Sequence, residues 1–341
     1  MSRGTTWLCA LVGAIIVGCA PVEESSHDAV TPGAAVDLPP ARPAQPAAVT
    51  RPAAARHEVV VDGHPIAVWE KRPASDRRLA GAFVLVHGRT WSGIPDFDLQ
   101  VPGERRSLMD ALVDRGYAAY AVDLRGYGGT PRDDTGWLTP DRAAADLVGV
   151  LEWVQQRESG PATVLGWSMG SLVAQLSAQR RPELFREVVL FGYPRDPDRR
   201  YQPTPPGAKP ARRTNTAEAA ASDFITPEVI SPAAIKAYVD LSLKFDPVRV
   251  DWRDQDQLHA LSPEALNVPT LLIHGARDPY AGLKAQAKLF RRIKHPDRAW
   301  VVIPGGDHAA HLEDTMNRFV DAVLDFVERP RAPRRGGGLD P

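Results

Sequence analysis

The chain has 341 residues, 43% hydrophobic and 24% charged, which is enough for one large core or two small ones. Its formal net charge of −1, with no basic stripe carrying interleaved aromatics, argues against nucleic-acid binding and against a general attraction to acidic surfaces. The two cysteines, Cys9 and Cys19, both precede the periodic part of the sequence. The expected folded region therefore has no disulfide, no cysteine metal site and no cysteine nucleophile.

The first residues read as a targeting segment. Arg3 supplies a short positive start, and residues 7–17 are apolar over a length suited to a signal peptide but too short to span a bilayer. Ile16-Val17-Gly18-Cys19 resembles the lipobox of bacterial lipoproteins. The resemblance implies a signal peptide over 1–18, cleavage before Cys19 and lipidation of that residue; an ordinary secretory signal with an incidental cysteine is the alternative. Ala20, in place of Asp, resembles the outer-membrane sorting signal of Gram-negative lipoproteins. The expectation is an exported protein, lipid-anchored to the bacterial cell envelope and, in a Gram-negative host, to the outer membrane. Several buried acyl chains at ~0.8 kcal/mol per CH₂ would hold it there. Residues 19–56 follow as a Pro/Ala-rich tether, with Pro39, Pro40, Pro43, Pro46 and Pro52 favouring extended, uncollapsed chain.

The periodic region begins with a hairpin: strands over 57–61 and 66–70 flank Asp62-Gly63. The continuous apolar run 82–86 predicts a third strand buried on both faces. Helical spacing over 104–115, ended by Gly116, precedes a fourth strand over 117–122. A helix over 140–157 with Pro140 in its first turn is followed by a fifth strand over 162–165, a helix over 168–179 and a sixth strand over 187–191. Residues 193–268 break the alternation: they are Pro-rich, with amphipathic helical stretches at 232–243 and 250–261. The rhythm resumes with a seventh strand over 270–273, a helix over 283–293, an eighth strand over 300–303 and a last helix over 310–327. Residues 329–341 read as a disordered tail. No internal repeat is present.

Strands alternating with helices predict an α/β fold, a mostly parallel eight-stranded sheet covered by helices on both faces and opened by an antiparallel hairpin. In open sheets of this kind ligands bind outside the carboxyl ends of the strands. Four expected strand ends carry chemistry. His87-Gly88-Arg89-Thr90-Trp91 follows the third, Gly166-Trp167-Ser168-Met169-Gly170 the fifth, His274-Gly275-Ala276-Arg277-Asp278 the seventh, and Pro304-Gly305-Gly306-Asp307-His308 the eighth. The pentapeptide around Ser168 is a weak signal by itself. Together with Asp and His in that chain order after those strands, it resembles the α/β-hydrolase fold and its nucleophile elbow. The resemblance covers residues 57–328 and implies a core built from 57–192 and 269–328, with 193–268 inserted as a cap.

The chemistry follows from the residue types. A serine hydroxyl needs a base within hydrogen-bond reach, and the base needs an orienting acid. Ser168 is the expected nucleophile, the other reading being a helix N-cap. His308 is the expected base, with His311 as its competitor, and Asp278 the expected acid, with Asp196 as the alternative. The resemblance implies an oxyanion hole from the N–H groups of Met169 and Arg89. His87 reads as structural, and so does the stretch Asp123-Leu124-Arg125-Gly126-Tyr127-Gly128. Trp91 and Trp167 are candidates for an acyl pocket, or for plain core packing. No metal-ligand cluster appears and no cofactor is needed.

The expected activity is serine hydrolysis of a small-molecule acyl substrate, with a carboxylic ester favoured. An S33-like aminopeptidase and an acylglycerol lipase are the rivals on the same fold. The peptidase would need a carboxylate for the substrate's amino terminus, with Glu183, Asp196 and Asp198 as candidates. A non-catalytic envelope binding protein is the rival of another class.

Overall fold

A computed structural model of the chain describes residues 52–74, 79–158 and 160–330. The readings placed on the signal peptide, on Cys19, on most of the tether and on the tail from 331 onward lie outside the described residues.

In chain order the elements are β1 (Ala55–Val61), β2 (His64–Lys71), β3 (Gly81–Val86), α1 (Gly93–Phe97), β4 (Asp98–Val101), β5 (Glu104–Ser107), α2 (Leu108–Asp114), β6 (Tyr117–Asp123), β7 (Trp137–Leu138), α3 (Pro140–Glu158), β8 (Ala162–Trp167), α4 (Met169–Arg180), β9 (Phe185–Phe191), α5 (Ala217–Ala221), α6 (Pro232–Phe245), β10 (Asp251–Trp252), β11 (Thr270–Gly275), α7 (Leu283–Arg292), β12 (Arg298–Ile303) and α8 (Met316–Glu328). Eight strands form one sheet in the order β1-β2-β6-β3-β8-β9-β11-β12. β1–β2 and β2–β6 pair antiparallel, and every later pair is parallel. The hairpin turn has φ 49° at Asp62 and φ 75° at Gly63, the left-handed pair that a two-residue hairpin requires.

The central strands are apolar on both sides because both sides are covered. One core layer joins Val84, Val86 and Val164 to Leu147 and Leu151 of α3, Leu172 and Leu176 of α4 and Leu289 of α7. The opposite layer joins Phe83, Leu85 and Leu165 to Leu108 and Leu112 of α2 and Phe319, Val323 and Phe326 of α8. With the sheet parallel from β6 through β12, the carboxyl ends of β3, β8, β9, β11 and β12 open at one edge, where the loops carrying the singled-out residues begin.

Four expectations change. Residues 104–115 are not one helix: β4 and β5 form a hairpin across Pro102-Gly103, with Gly103 at φ 78°, and helix α2 starts at Leu108. The reason is tertiary. Arg106 is buried and its guanidinium binds the Leu312 carbonyl (3.0 Å) and Asp314 (2.9 Å), 206 and 208 residues away. Residues 250–261 are not an α-helix either: β10 pairs with β7, Asp254 turns left-handed at φ 50°, and a 3₁₀ turn follows over Gln255–Ala260. The last helix starts at Met316 rather than 310, because residues 307–315 form a loop held by side-chain bonds to Asp307 and Glu313. Finally, β1 starts at Ala55, inside the stretch read as tether, where Ala55 and Arg56 pair with Glu70 and Trp69.

Residues 192–269 connect β9 to β11, which are neighbours in the sheet. This connection holds α5, α6, β10 and short 3₁₀ turns. Helix α6 is capped by Ser231, whose hydroxyl accepts from Ala234 N–H, and it packs against β4 and α1.

Candidate active site

Ser168 stands between the last residue of β8 and the first of α4, with φ 54° and ψ −118°. This backbone is strained for a residue with a side chain. Both flanking glycines are obligatory for space. A Cβ on Gly166 would lie 2.3 Å from the Gly170 carbonyl oxygen, and a Cβ on Gly170 would lie 2.2 Å from the Val86 carbonyl oxygen at the end of β3. Gly170 therefore lets the helix approach the neighbouring strand, while Gly166 lets the turn close on itself. The strain is held by Ser168 N–H donating to Phe191 O (2.9 Å) and by Ser171 N–H (3.0 Å) and Ser171 Oγ (2.5 Å) donating to Ser168 O. The Ser168 hydroxyl makes no capping bond to the helix, so the N-cap alternative does not describe it. Met169 begins the twelve-residue helix α4, whose N-terminus favours negative charge.

His308 Nδ1 lies 2.8 Å from Asp278 Oδ2. The other carboxylate oxygen accepts from Tyr280 N–H (2.8 Å) and Ala281 N–H (3.1 Å). Asp278 is thereby fixed through both oxygens, and the imidazole with its proton on Nδ1 turns Nε2 away from the acid. The His308 carbonyl accepts from Trp167 Nε1 (2.8 Å), tying the loop after β12 to the strand that leads into the elbow. Gly192 was not singled out from the sequence. It adopts φ 55°, and a Cβ there would lie 3.0 Å from His308 Nδ1 and 3.2 Å from Asp278 Oδ2. The Phe191–Gly192 segment thus touches both the elbow, through the Phe191 carbonyl, and the His–Asp pair. Among the described residues Ser168 Oγ closes no hydrogen bond.

The loop after β3 is held from several sides. His87 Nδ1 donates to Gly88 O (2.8 Å) and Nε2 accepts from Leu124 N–H (3.1 Å); burial pushes its pKa down to about 4, so the ring is neutral. Asp123 accepts from Gly93 N–H (2.8 Å), Gly129 N–H (2.8 Å) and Trp69 Nε1 (2.7 Å). Tyr127 donates to the Arg89 carbonyl and accepts from Trp252 Nε1 (2.8 Å). The exposed Arg89 side chain reaches Gln255 Oε1 at 3.4 Å.

The competing residues have other partners. His311 is fully buried, its Nε2 donating to Asp96 O (2.9 Å) amid Trp167, Phe191 and Phe97, and burial pushes its pKa down to about 3. A ring held neutral at that depth is a packing element. Asp196 and Asp198 bind Lys288, and Glu183 binds Arg181, all in exposed ion pairs. Asp307 points its oxygens at Thr226 N–H (2.6 Å) and Ala309 N–H (2.9 Å). Trp167 is buried against Phe191 as well as bonded to the His308 loop, and Trp91 is buried beside the Asp223 carboxylate, without closing a hydrogen bond to it.

Asp223 lies in the 192–269 connection and carried no motif. Its Oδ2 accepts from Tyr238 Oη (3.0 Å). Burial pushes its carboxyl up to about 6, while Tyr238 and the nearby His308 pull the other way. Among the described residues no group of three or more His, Cys, Asp or Glu side chains is placed to hold a metal ion.

A strained serine at the strand-to-helix turn, a histidine–aspartate pair beside it and this sheet order define an α/β-hydrolase. Residues 102–315 match the family described as serine aminopeptidase, S33, and the chain belongs to that family. Mouse serine hydrolase BPHL is 26% identical over 260 residues, 71% of this chain and 79% of that protein. A pimeloyl-[acyl-carrier protein] methyl ester esterase of Neisseria meningitidis is 27% identical over 255 residues, 66% of this chain and 90% of that one. Among solved structures, the esterase RhEst1 from Rhodococcus sp. ECU1013 superposes with a TM-score of 0.58 at 23% identity, covering 81% of this chain and 98% of the other. The protein is a hydrolase of the α/β-hydrolase fold.

Proposed function

We propose that the enzyme cleaves a carboxylic ester through Ser168, His308 and Asp278. The observation that carries this reading is the 2.8 Å His308–Asp278 contact, with the acid saturated by two backbone N–H groups, on the loops flanking a strained serine. Ser168 Oγ attacks the carbonyl carbon as its proton passes to His308 Nε2. The oxyanion is held by the N–H groups of Met169 and Arg89. The imidazolium returns the proton to the departing alkoxide, leaving an acyl-enzyme. Water, deprotonated by the same ring, then releases the acid and restores the serine. Asp278 keeps the ring oriented and balances its charge. Residues 193–268 form the cap that sets which acyl group enters, and Trp91 and Trp167 border the space beneath it. The esterases among the relatives favour an ester over an amide.

The decisive experiment is labelling by a fluorophosphonate probe together with turnover of p-nitrophenyl esters. Wild type should label and turn over, and Ser168→Ala should do neither. Labelling that persists in the alanine variant removes Ser168 from this role. Absence of both in wild type favours the non-catalytic binding protein instead.

One observation favours a second reading, an S33-like aminopeptidase. Asp223 is a carboxylate near His308 with no salt-bridge partner among the described residues, whereas Glu183, Asp196 and Asp198 are engaged elsewhere. Comparing aminoacyl-naphthylamides with p-nitrophenyl esters decides between the two.

The lipobox-like Ile16–Cys19 sequence supports export and lipid anchoring at the cell envelope. Palmitate labelling and membrane fractionation of wild type and Cys19→Ala test it; equal partitioning of both would end that proposal.

A further inference from the structure

Around Arg89 the loop after β3 is anchored at three points. Gly88 N–H donates to Asp96 Oδ2 (3.0 Å), the Arg89 carbonyl accepts from Tyr127, and Ser92 N–H donates to Asp246 Oδ2 (2.8 Å). Two of these anchors lead to helix α6. Asp246 caps its C-terminus, and Tyr238, on its buried face, places Oη 3.0 Å from Asp96 Oδ1 and 3.0 Å from Asp223 Oδ2.

A phenol carries one hydrogen and can donate to only one of those oxygens. If both carboxyls were ionised, the second contact would set an anionic oxygen against a lone pair in a buried site. One carboxyl therefore carries a proton. Asp96 is fully buried, is faced by Asp223, Asp246 and Tyr238, and among the described residues has no cation in contact with it. Asp223 keeps some exposure and feels His308. The proton belongs on Asp96, and burial holding that carboxyl well above the usual range agrees. The hydrogen bonds then run in one direction, from Gly88 N–H to Asp96, from Asp96 to Tyr238 and from Tyr238 to Asp223.

We infer that Asp96 of α1, working as a neutral acid, and Tyr238 of α6 are positioning residues that clamp the Arg89 loop to helix α6, so that the 192–269 connection, through Tyr238, sets the oxyanion hole. This rests on the serine-hydrolase reading. It predicts an effect on transition-state stabilisation more than on substrate affinity, because the clamp touches neither the acyl group nor the leaving group.

The test uses the full chain, with p-nitrophenyl ester kinetics expressed per active site titrated by fluorophosphonate. Removing an oxyanion donor outright costs about 10²–10³ in kcat, so loosening one by Tyr238→Phe should cost roughly tenfold, with KM within about twofold. Asp96→Asn should keep most of the activity, since a carboxamide accepts from Gly88 and donates to Tyr238 as the neutral acid does. Asp96→Ala should fall at least as far as Tyr238→Phe; if it does not fold, the other two variants carry the test. Wild-type kcat per active site in Tyr238→Phe, or an Asp96→Asn variant as impaired as Tyr238→Phe, overturns the inference. A wild type that takes no label at Ser168 overturns the hydrolase reading and this inference with it, and is distinguishable because it fails before any clamp variant is compared.

Discussion

The strand-end loops and the 192–269 connection build their parts of the site in different ways. Ser168, Asp278 and His308 sit on loops at the sheet's edge and are held by contacts within and between those strand ends: two glycines and the Phe191 carbonyl for the serine, the backbone of Tyr280 and Ala281 for the aspartate, and the Trp167 indole for the His308 carbonyl. The connection contributes Asp223, Tyr238 and Asp246, and each acts through partners more than a dozen residues away. The three side chains are thus held against the backbone and strand-end residues of the sheet itself. The connection's contacts instead run from helix α6 and its C-cap to α1 and to the loops after β3 and β6.

The comparison breaks most visibly if a local part proves dispensable. Asp278→Asn should lower kcat by about 10⁴, as expected when the base loses its tautomer-fixing acid, while Asp196→Asn should stay within about twofold. Steady-state kinetics on the two variants check this; equal losses would move the acid into the connection. Gly170→Ala should destabilise by about 3 kcal/mol or more, because its Cβ meets the backbone of β3 and not a flexible side chain. Urea unfolding measures it, and a near-neutral result would show that the elbow is softer than its contacts imply.

Asp246→Ala tests the connection's own grip. It strips the partners from Ser92 and Gly128 N–H and should cost about 1–3 kcal/mol. A smaller and pH-dependent effect is expected at Glu313, on the His308 loop. Burial, then the hydrogen bond to Asp307, pushes its carboxyl up to about 9. A raised folded pKa means that the native state keeps a proton the unfolded chain releases above its ordinary value of 4.5. The stability associated with that proton is present below that value and is lost as pH rises toward 9. Glu313→Gln should therefore melt a few degrees above wild type at pH 8 and close to it at pH 5. A gap independent of pH would place the ionised carboxylate there. At the bottom of the scale, Lys236→Ala removes an exposed pair with Asp240 four residues on and should change stability by no more than about 0.5 kcal/mol.

Much of the frame was legible because the hydrophobic runs were long and unambiguous. The strands ending at Val86, Trp167, Gly275 and Ile303 were found from apolar runs alone, and the glycines around Ser168 marked the turn. The short elements were not legible. β5 carries Arg105 and Arg106 at positions that also suit a helix, and the distant Leu312 carbonyl and Asp314, which bind Arg106, decide for a strand. Helix α6 was legible from its amphipathic spacing, yet nothing in that spacing said that Tyr238 meets Asp96 across 142 residues. Gly192 had one signal: a glycine directly after a buried strand at the sheet's functional edge.

The sequence by itself determined the alternation of strands and helices, the tight turn at Ser168 and the chain order of serine, aspartate and histidine, because periodicity and turn chemistry act over a few residues. Only the tertiary structure gives His308 and His311 different surroundings. The two rings are three positions apart in one loop, and what separates them is a carboxylate from another strand beside the first and a buried aromatic cluster around the second. Proton chemistry depends on which charges and how much water surround a group, and that environment exists only once distant segments have met.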